Sequence, residues 1–334
     1  MINLSTRFSS VTNLNSKDDR KKRRAVRELF ELDDENNLSS FIPLLDDKDS
    51  WYRSKALDAF RMWSIRLNTS HLAPLINHDN LDYNRAAANL LEKFHNNDSE
   101  IVMQLFNKED FICKIKSAEF ILQFDNQQEF YDNLIAHQNA KLRLIALCSK
   151  YSSQEVLINS LDDESNTIVN YSLIKLFESD YNINDEKLTE LISRGAEFST
   201  FAPHLLKHNP AKLVKQLGNI NSANMKIIVK LLNQQCDSLD NEIIKLLIKN
   251  ESYVVLGRWL QGRKGEAVDE LRWKIIGNDD VDEIERSRLI ERLFARCDEE
   301  KIREMAHYIC EKTSSELIKV TAHNLSTAGD QDEP

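Results

Sequence analysis

Apolar residues recur along most of the chain at spacings of three and four, between short polar stretches. Leu289 and Leu293, for example, are four positions apart. This spacing places apolar side chains on one face of an α-helix. In the second half of the chain, the pattern predicts amphipathic helices over 186–193, 211–217, 225–232, 242–248, 267–276, 284–297 and 299–312.

The helical pattern of the first half repeats. Pro43 and Pro74 occupy the same place in two successive units and are 31 positions apart, whereas Ala56 and Ala88 are 32 apart, which indicates one residue inserted into the second turn. Each unit has a short helix, a polar turn and a longer helix. Because one such hairpin cannot bury its apolar face alone, we expect the copies to stack.

The clearest unit contains the stretch 44–56, LLDDKDSWYRSKA. It resembles the "LL-x-D-x-D-x-x-V-R-x-x-A" turn and second helix of the HEAT-repeat family, with Tyr52 where Val is usual. The resemblance covers about residues 38–175, in units of about 30 residues. It implies an all-α protein: a right-handed α-solenoid of stacked antiparallel helical hairpins.

The resemblance also implies roles for individual residues. In the family, matching Asp and Arg side chains form hydrogen bonds within and between stacked units. In this chain, these roles fall on Asp47 with Arg53, and in later units on Arg85 and Arg143. The resemblance therefore implies a structural scaffold and does not imply an activity.

Changes in pattern and composition suggest four segments. We expect a flexible N-terminal tail over 1–15, HEAT-like repeats over 16–180, degenerate helical repeats that continue the solenoid over 181–325, and a disordered acidic tail over 326–334. A break in the pattern at 180–200 leaves open a division into two arms.

The composition agrees with an all-α chain. There are seven glycines in 334 residues, the first at Gly195, so few tight hairpins are expected. The net charge of −10, from 44 basic and 54 acidic residues, argues against a polyanion bound over the whole surface but allows local basic patches. The five separate cysteines and the lack of long apolar runs are typical of a cytoplasmic protein outside the membrane.

The sequence contains three weak signals of chemistry. His204 and His208 have the spacing of two metal ligands, but Leu205 stands where a metalloprotease has Glu. The stretch 257–264, GRWLQGRK, resembles a phosphate-binding loop in outline, but Lys264 replaces the Ser or Thr that holds magnesium. Acidic pairs lie ahead of helices, where capping explains them. We therefore predict no metal, cofactor or catalytic residue, and the sequence favours a non-enzyme without deciding the question.

The four tryptophans lie near basic residues in both halves of the chain. Aromatic and arginine side chains often anchor protein interfaces. The candidate partner-binding residues are Trp51, Arg53, Trp63, Arg258, Trp259 and Trp273. A basic block supplies candidate nucleic-acid contacts at Arg20, Lys21, Lys22, Arg23, Arg24 and Arg27. The alternative is that the tryptophans fill the core and the cations form a solvated face.

Three functions follow as hypotheses. The first is a non-catalytic scaffold that binds another protein with its solenoid surface. The second is a nucleic-acid-binding protein, similar to the HEAT-like DNA glycosylases, that uses the concave face. The third and weakest rests on a similarity of the short repeats to phycobilin lyases. The oligomeric state stays open.

Overall fold

The computed structural model describes residues 4–95 and 99–328, and within these ranges it contains helices and no strand. The prediction of an all-α protein is therefore confirmed. The α-helices are α1 Leu4–Asn13, α2 Asp19–Leu32, α3 Leu38–Phe41, α4 Ser50–Trp63, α5 Ala73–Ile76, α6 Leu81–Leu90, α7 Ser99–Phe106, α8 Phe111–Ile121, α9 Gln128–Ile135, α10 Ala140–Leu147, α11 Gln154–Asn159, α12 Asn166–Glu178, α13 Asp185–Ser193, α14 Phe198–His208, α15 Pro210–Gln216, α16 Ser222–Gln235, α17 Glu242–Lys249, α18 Tyr253–Trp259, α19 Glu266–Ile276, α20 Glu283–Glu291, α21 Glu300–Lys312 and α22 Glu316–Thr327. Short 3-10 helices lie at Glu35–Asn37, Ile42–Asp46, Ser64–Arg66, Thr69–Leu72, Leu91–Lys93, Ser160–Asp162, Leu217–Asn219 and Phe294–Arg296.

Short polar residues begin several of the longer helices. Asp49 accepts the backbone N–H of Trp51 at 2.9 Å ahead of α4, and Asn139 accepts that of Lys141 at 2.9 Å ahead of α10. These side chains satisfy N–H groups that have no partner inside the helix. The polar turns of the repeat are therefore the points where its second helices start.

An arginine four residues after the capping residue closes the polar turn. The Nη1 atom of Arg53 donates to the backbone carbonyls of Asp47 and Lys48, at 2.8 and 2.9 Å. Arg143 makes the same pair of bonds ahead of α10, and Arg303 makes it after the cap of α21. One guanidinium thus satisfies two carbonyl groups at each turn.

The second unit differs from the expected alignment. Asn84, rather than Arg85, occupies the place of Arg53, and its amide donates to the carbonyls at the end of α5, at 2.8 and 3.0 Å. Arg85 instead pairs with Asp110 at the start of α8, at 2.8 Å. Asn80 caps α6 six residues after Pro74, just as Asp49 caps α4 six residues after Pro43. The expected inserted residue is therefore absent from this turn.

The chain separates into two compact units, one up to Ser160 and one from Leu161. The division falls before the expected boundary at 180. In the first unit, α6 contacts both α4 and α8, and α8 contacts α10. In the second unit, contacts join α12 to α14, α14 to α16, α16 to α18, α18 to α20 and α20 to α22. Within each unit, the longer helices therefore pack in the order of the sequence.

The start of the chain is helical where we expected a tail. Helix α1 packs on α2, and the Ser10 hydroxyl donates to Glu28 at 2.6 Å. Leu14, just after α1, is buried in the core of the first unit. In the expected acidic tail, Ser326 and Thr327 belong to α22, and 329–334 lie outside the described residues.

Candidate binding site

Trp63, a candidate partner-binding residue, lies in the core of the first unit with no exposed surface. Its ring stacks on Phe30 with centroids 5.1 Å apart and meets the edge of Phe41 at 5.4 Å. Its indole N–H donates to Asp33 at 2.9 Å. A side chain with no exposed surface offers no contact area to a partner in this conformation.

Trp259 is buried in the second unit in the same way. It is 1% exposed, and its indole N–H donates to the backbone carbonyl of Cys236 at 3.2 Å. The guanidinium of Arg263 lies 4.0 Å from its ring centroid, a cation–π contact. Trp51 is half-buried beneath Arg23, with the guanidinium 5.1 Å from its ring.

The basic block of α2 is partly neutralised by acidic side chains. Lys22 pairs with Asp47, Arg23 donates to Asp49 at 3.1 Å, and Arg24 pairs with Glu28 at 2.8 Å. The side chains of Arg20, Lys21 and Arg27 are exposed and have no ion-pair partner among the described residues. The positive field of the block is therefore weaker than its sequence suggests.

Arg53 and Arg258 also form contacts within the fold. Arg53 closes the turn before α4, and Arg258 donates to Glu285 at 2.8 Å. Trp273 is also buried, at 7% exposed, but unlike Trp63 and Trp259 it is among the residues that line an open groove. Of the six candidate partner-binding residues, Trp273 is the one at the widest of the cavities described in this article.

This groove, the α19–α21 groove, lies within the second unit and has a volume of about 990 Å³. Its apolar lining residues are Trp273, Ile302, Met305, Tyr308 and Ile309. Tyr308 is 51% exposed although it is large and aromatic. Gly277 ends α19 beside Ile309, so the end of the groove has no side chain in the way. Trp273, Ile302 and Ile309 are buried, so the apolar surface that this groove exposes to water comes mainly from Met305 and Tyr308.

The rim of the α19–α21 groove is acidic. Its lining includes five carboxylates, from Glu266, Asp269, Glu270, Glu299 and Glu304, and three cations, from Lys274, Arg296 and Lys301. Arg296 binds Asp269 at 2.8 Å and Glu299 at 2.6 Å. Hydrogen bonds from Arg296 lower the pKa of Glu299, so this carboxylate stays charged well into the acidic range. The groove as a whole favours a positively charged occupant.

The weak chemical signals of the sequence have structural explanations. His204 is buried, and its Nε2 donates to the carbonyl of Leu173 at 2.8 Å, whereas His208 is exposed. Over the described residues, no group of three or more His, Cys, Asp or Glu side chains could hold a metal ion. Burial raises the pKa of the Cys113 thiol to about 12, which keeps it protonated.

The stretch 257–264, which resembles a phosphate-binding loop in outline, does not form a single loop in the structure. Gly257 lies inside α18, where a β-carbon would come within 3.3 Å of Leu289 on α20. This glycine allows two helices to approach closely. Gly262 and Gly265 lie in the following turn at φ of 77° and 127°. The stretch is a helix end and a turn, packed against Arg272.

Two further comparisons bear on function. No protein-family model matches the chain, and no curated protein has a significant match to its sequence. None of the described helices combines the length and the apolar character needed to cross a bilayer. A function is therefore inferred from the α19–α21 groove.

Trp273 is among the partner-binding residues predicted from the sequence, whereas Met305 and Tyr308 are not. Both lie in the predicted helix 299–312. No feature of the sequence placed that helix beside 267–276 with Tyr308 open to solvent. A large aromatic residue outside the apolar stripe of an amphipathic helix was the available signal.

Proposed function

We propose that this chain is a non-catalytic interaction protein, and that the α19–α21 groove binds a segment of a partner protein. The observation that carries the proposal is the apolar floor of a groove of about 990 Å³ that holds a half-exposed tyrosine. Aromatic and methionine side chains are enriched at the centre of protein interfaces. Covering Met305, Tyr308 and the edge of Trp273 removes apolar surface from water, which drives association.

The charge of the rim indicates the chemistry of the partner. Five carboxylates against three cations leave an excess of negative charge around an apolar floor. A segment with an apolar face and flanking Lys or Arg residues matches both features, because opposite charges steer the encounter and the apolar face supplies affinity. We therefore propose a basic amphipathic segment as the occupant.

We also propose that each unit is a short HEAT-like right-handed solenoid. Arg53, Asn84, Arg143 and Arg303 each donate to the carbonyl two residues before the N-cap of their helix, which supports a shared repeat turn. The contacts of successive longer helices within each unit support serial stacking. Repeats of this kind build extended surfaces for binding proteins, which agrees with the proposed role.

Selection from a displayed library of random peptides, with the full-length protein as the target, tests the groove. We expect enriched peptides to carry Lys or Arg beside an apolar face. Tyr308→Ala should weaken their binding by about tenfold or more, as loss of an aromatic anchor does. Ile284→Ala is the matched control, since Ile284 is 52% exposed on α20 and does not line the groove.

Two outcomes would overturn the proposal. One is a selection that enriches no peptide above background. The other is equal loss of binding in the two variants, which would place the peptide elsewhere on the protein.

A further inference from the structure

A second groove of the second unit is lined by cations from three successive longer helices. This α16–α20 groove has a volume of about 600 Å³. Its basic lining residues are Lys226 and Lys230 of α16, Arg258 of α18, Arg288 of α20, and Arg292 just after α20. In a chain with a net charge of −10, such a concentration of positive charge is unexpected.

One carboxylate, from Glu285, lies among the described residues that line this groove. It accepts hydrogen bonds from Arg258 and from Arg288, both at 2.8 Å. Five cations against one carboxylate leave four positive charges without a counterpart in the lining. Lys226 and Lys230 are exposed and have no ion-pair partner among the described residues.

The cations of this groove repel one another. Partial burial lowers the pKa of Arg292; the charges of Arg258 and Arg288 also lower it, whereas those of Glu285 and Glu291 raise it. Arg292 has one long hydrogen bond, to the carbonyl of Gly257 at 3.3 Å. Like charges held at close range cost stability unless an anion joins them. The arrangement is therefore more favourable with a bound anion than without one.

The positive surface extends beyond the α16–α20 groove. A second cavity, of about 340 Å³, shares Gln261 and Arg292 with it and is also lined by Lys264. Lys264 is exposed and has no ion-pair partner among the described residues. The two cavities are therefore adjacent, and cations line both of them. Cations spread over two adjacent cavities favour a ligand that carries more than one negative charge.

The spacing of the cations suits such a ligand. Lys226 and Lys230 are four residues apart on one helix, which is about 6 Å along its axis. The amide side chains of Asn233, Gln234 and Gln261 lie in the same lining and can bind sugars or base edges.

We infer that the α16–α20 groove binds the phosphodiester backbone of a nucleic acid. Lys226, Lys230, Arg288 and Arg292 contact successive phosphates, and the amides contact the sugars or bases between them. Trp259 is buried, so binding depends on charge rather than on stacking of bases on tryptophan. None of these four cations lines the α19–α21 groove.

Fluorescence anisotropy of the full-length protein with a labelled 12-mer of deoxythymidine, and with a 12-base-pair duplex, tests the inference at 50 and 200 mM salt. We expect affinity for at least one of these probes to fall with salt. K226Q/K230Q should lower that affinity about tenfold, and for the single strand it should reduce the salt slope by about 1.4, because two phosphate contacts are lost. The tighter probe identifies the strand form.

The matched control is K215Q/K249Q, which removes two exposed lysines outside the groove and changes the net charge equally. It should keep wild-type affinity, and so should Tyr308→Ala, which separates this inference from the proposed function. The inference is overturned if neither probe binds, or if both double variants lose affinity equally. It is also overturned if a polyglutamate of the same length competes as well as the oligonucleotide, since the groove would then suit an acidic protein segment.

Discussion

His204 lies in the core of the second unit with one ring nitrogen satisfied and one not. Its Nε2 donates to the carbonyl of Leu173, so the proton of the neutral ring is on Nε2. Its Nδ1 is buried and has no hydrogen-bond partner among the described residues. Burial lowers the pKa of this ring, and the nearby His208 lowers it further. A second proton would place an uncompensated charge in the core.

This environment predicts a pH-dependent stability. The unfolded chain binds a proton at His204 near pH 6.5, whereas the folded chain binds it only at lower pH. The free energy of unfolding should therefore fall as pH is lowered from 7 through that window, with a contribution of at most about 1.4 kcal/mol per pH unit. His204→Gln keeps a donor for Leu173 but does not titrate, so it should show a shallower dependence.

Urea denaturation followed by circular dichroism at pH 7, 6 and 5 measures the free energy of unfolding of the wild type and of His204→Gln. Identical pH dependence in the wild type and His204→Gln would show that the ring does not titrate as its burial implies.

Comparison of the predicted helices with the observed ones shows which parts of the fold can be predicted from the sequence and which cannot. The predicted helices 267–276 and 299–312 correspond to α19 and α21, because their apolar spacing reflects burial of one face. The predicted helix 284–297 ends at Glu291 instead, and a 3-10 turn follows at Phe294–Arg296. Periodicity alone does not distinguish a helix from a turn that keeps the same face buried.

The repeat turn gives a second example. The resemblance assigned Arg53 to the turn together with Asp47, and the guanidinium does bond Asp47, through its backbone carbonyl, while Asp49 caps the helix. Asn84 was missed because an amide can donate to the equivalent carbonyl, that of His78, and carries no charge to mark it. The α19–α21 groove could not be predicted, since the distance between Trp273 and Tyr308 depends on packing between helices.

The arginines that close the repeat turns should each contribute a similar amount to the free energy of unfolding. Arg53→Met and Arg303→Met should each lower the free energy of unfolding by about 1–3 kcal/mol, because two carbonyls lose their donor. Arg61→Met is the control: this exposed arginine pairs with Asp58 at 3.3 Å, and its loss should change stability by about 0.5 kcal/mol or less.

Urea titrations of the three variants provide the comparison. If Arg53→Met and Arg303→Met were no more destabilised than Arg61→Met, the shared hydrogen bonds would not be a stabilising feature of the repeat.

At the scale of the molecule, the second unit carries two grooves of opposite charge. The α19–α21 groove has an apolar floor and an acidic rim, and the α16–α20 groove has five cations around one carboxylate. The two grooves share no lining residue, so a substitution in one should leave binding at the other unchanged, whereas added salt should weaken binding at both. The tryptophans that first suggested a binding surface are mostly core residues. The sites themselves arise where neighbouring helices leave space between them.

The central claim is that the α19–α21 groove receives a basic amphipathic segment of another protein. Placing a photo-cross-linking amino acid at position 308 of the full-length chain, in its native cells, tests it most directly. Irradiation should yield a discrete adduct whose cross-linked peptide carries Lys or Arg beside an apolar face, and the same amino acid at position 284 should not yield it. Absence of an adduct at position 308, or the same adduct from position 284, would contradict the claim.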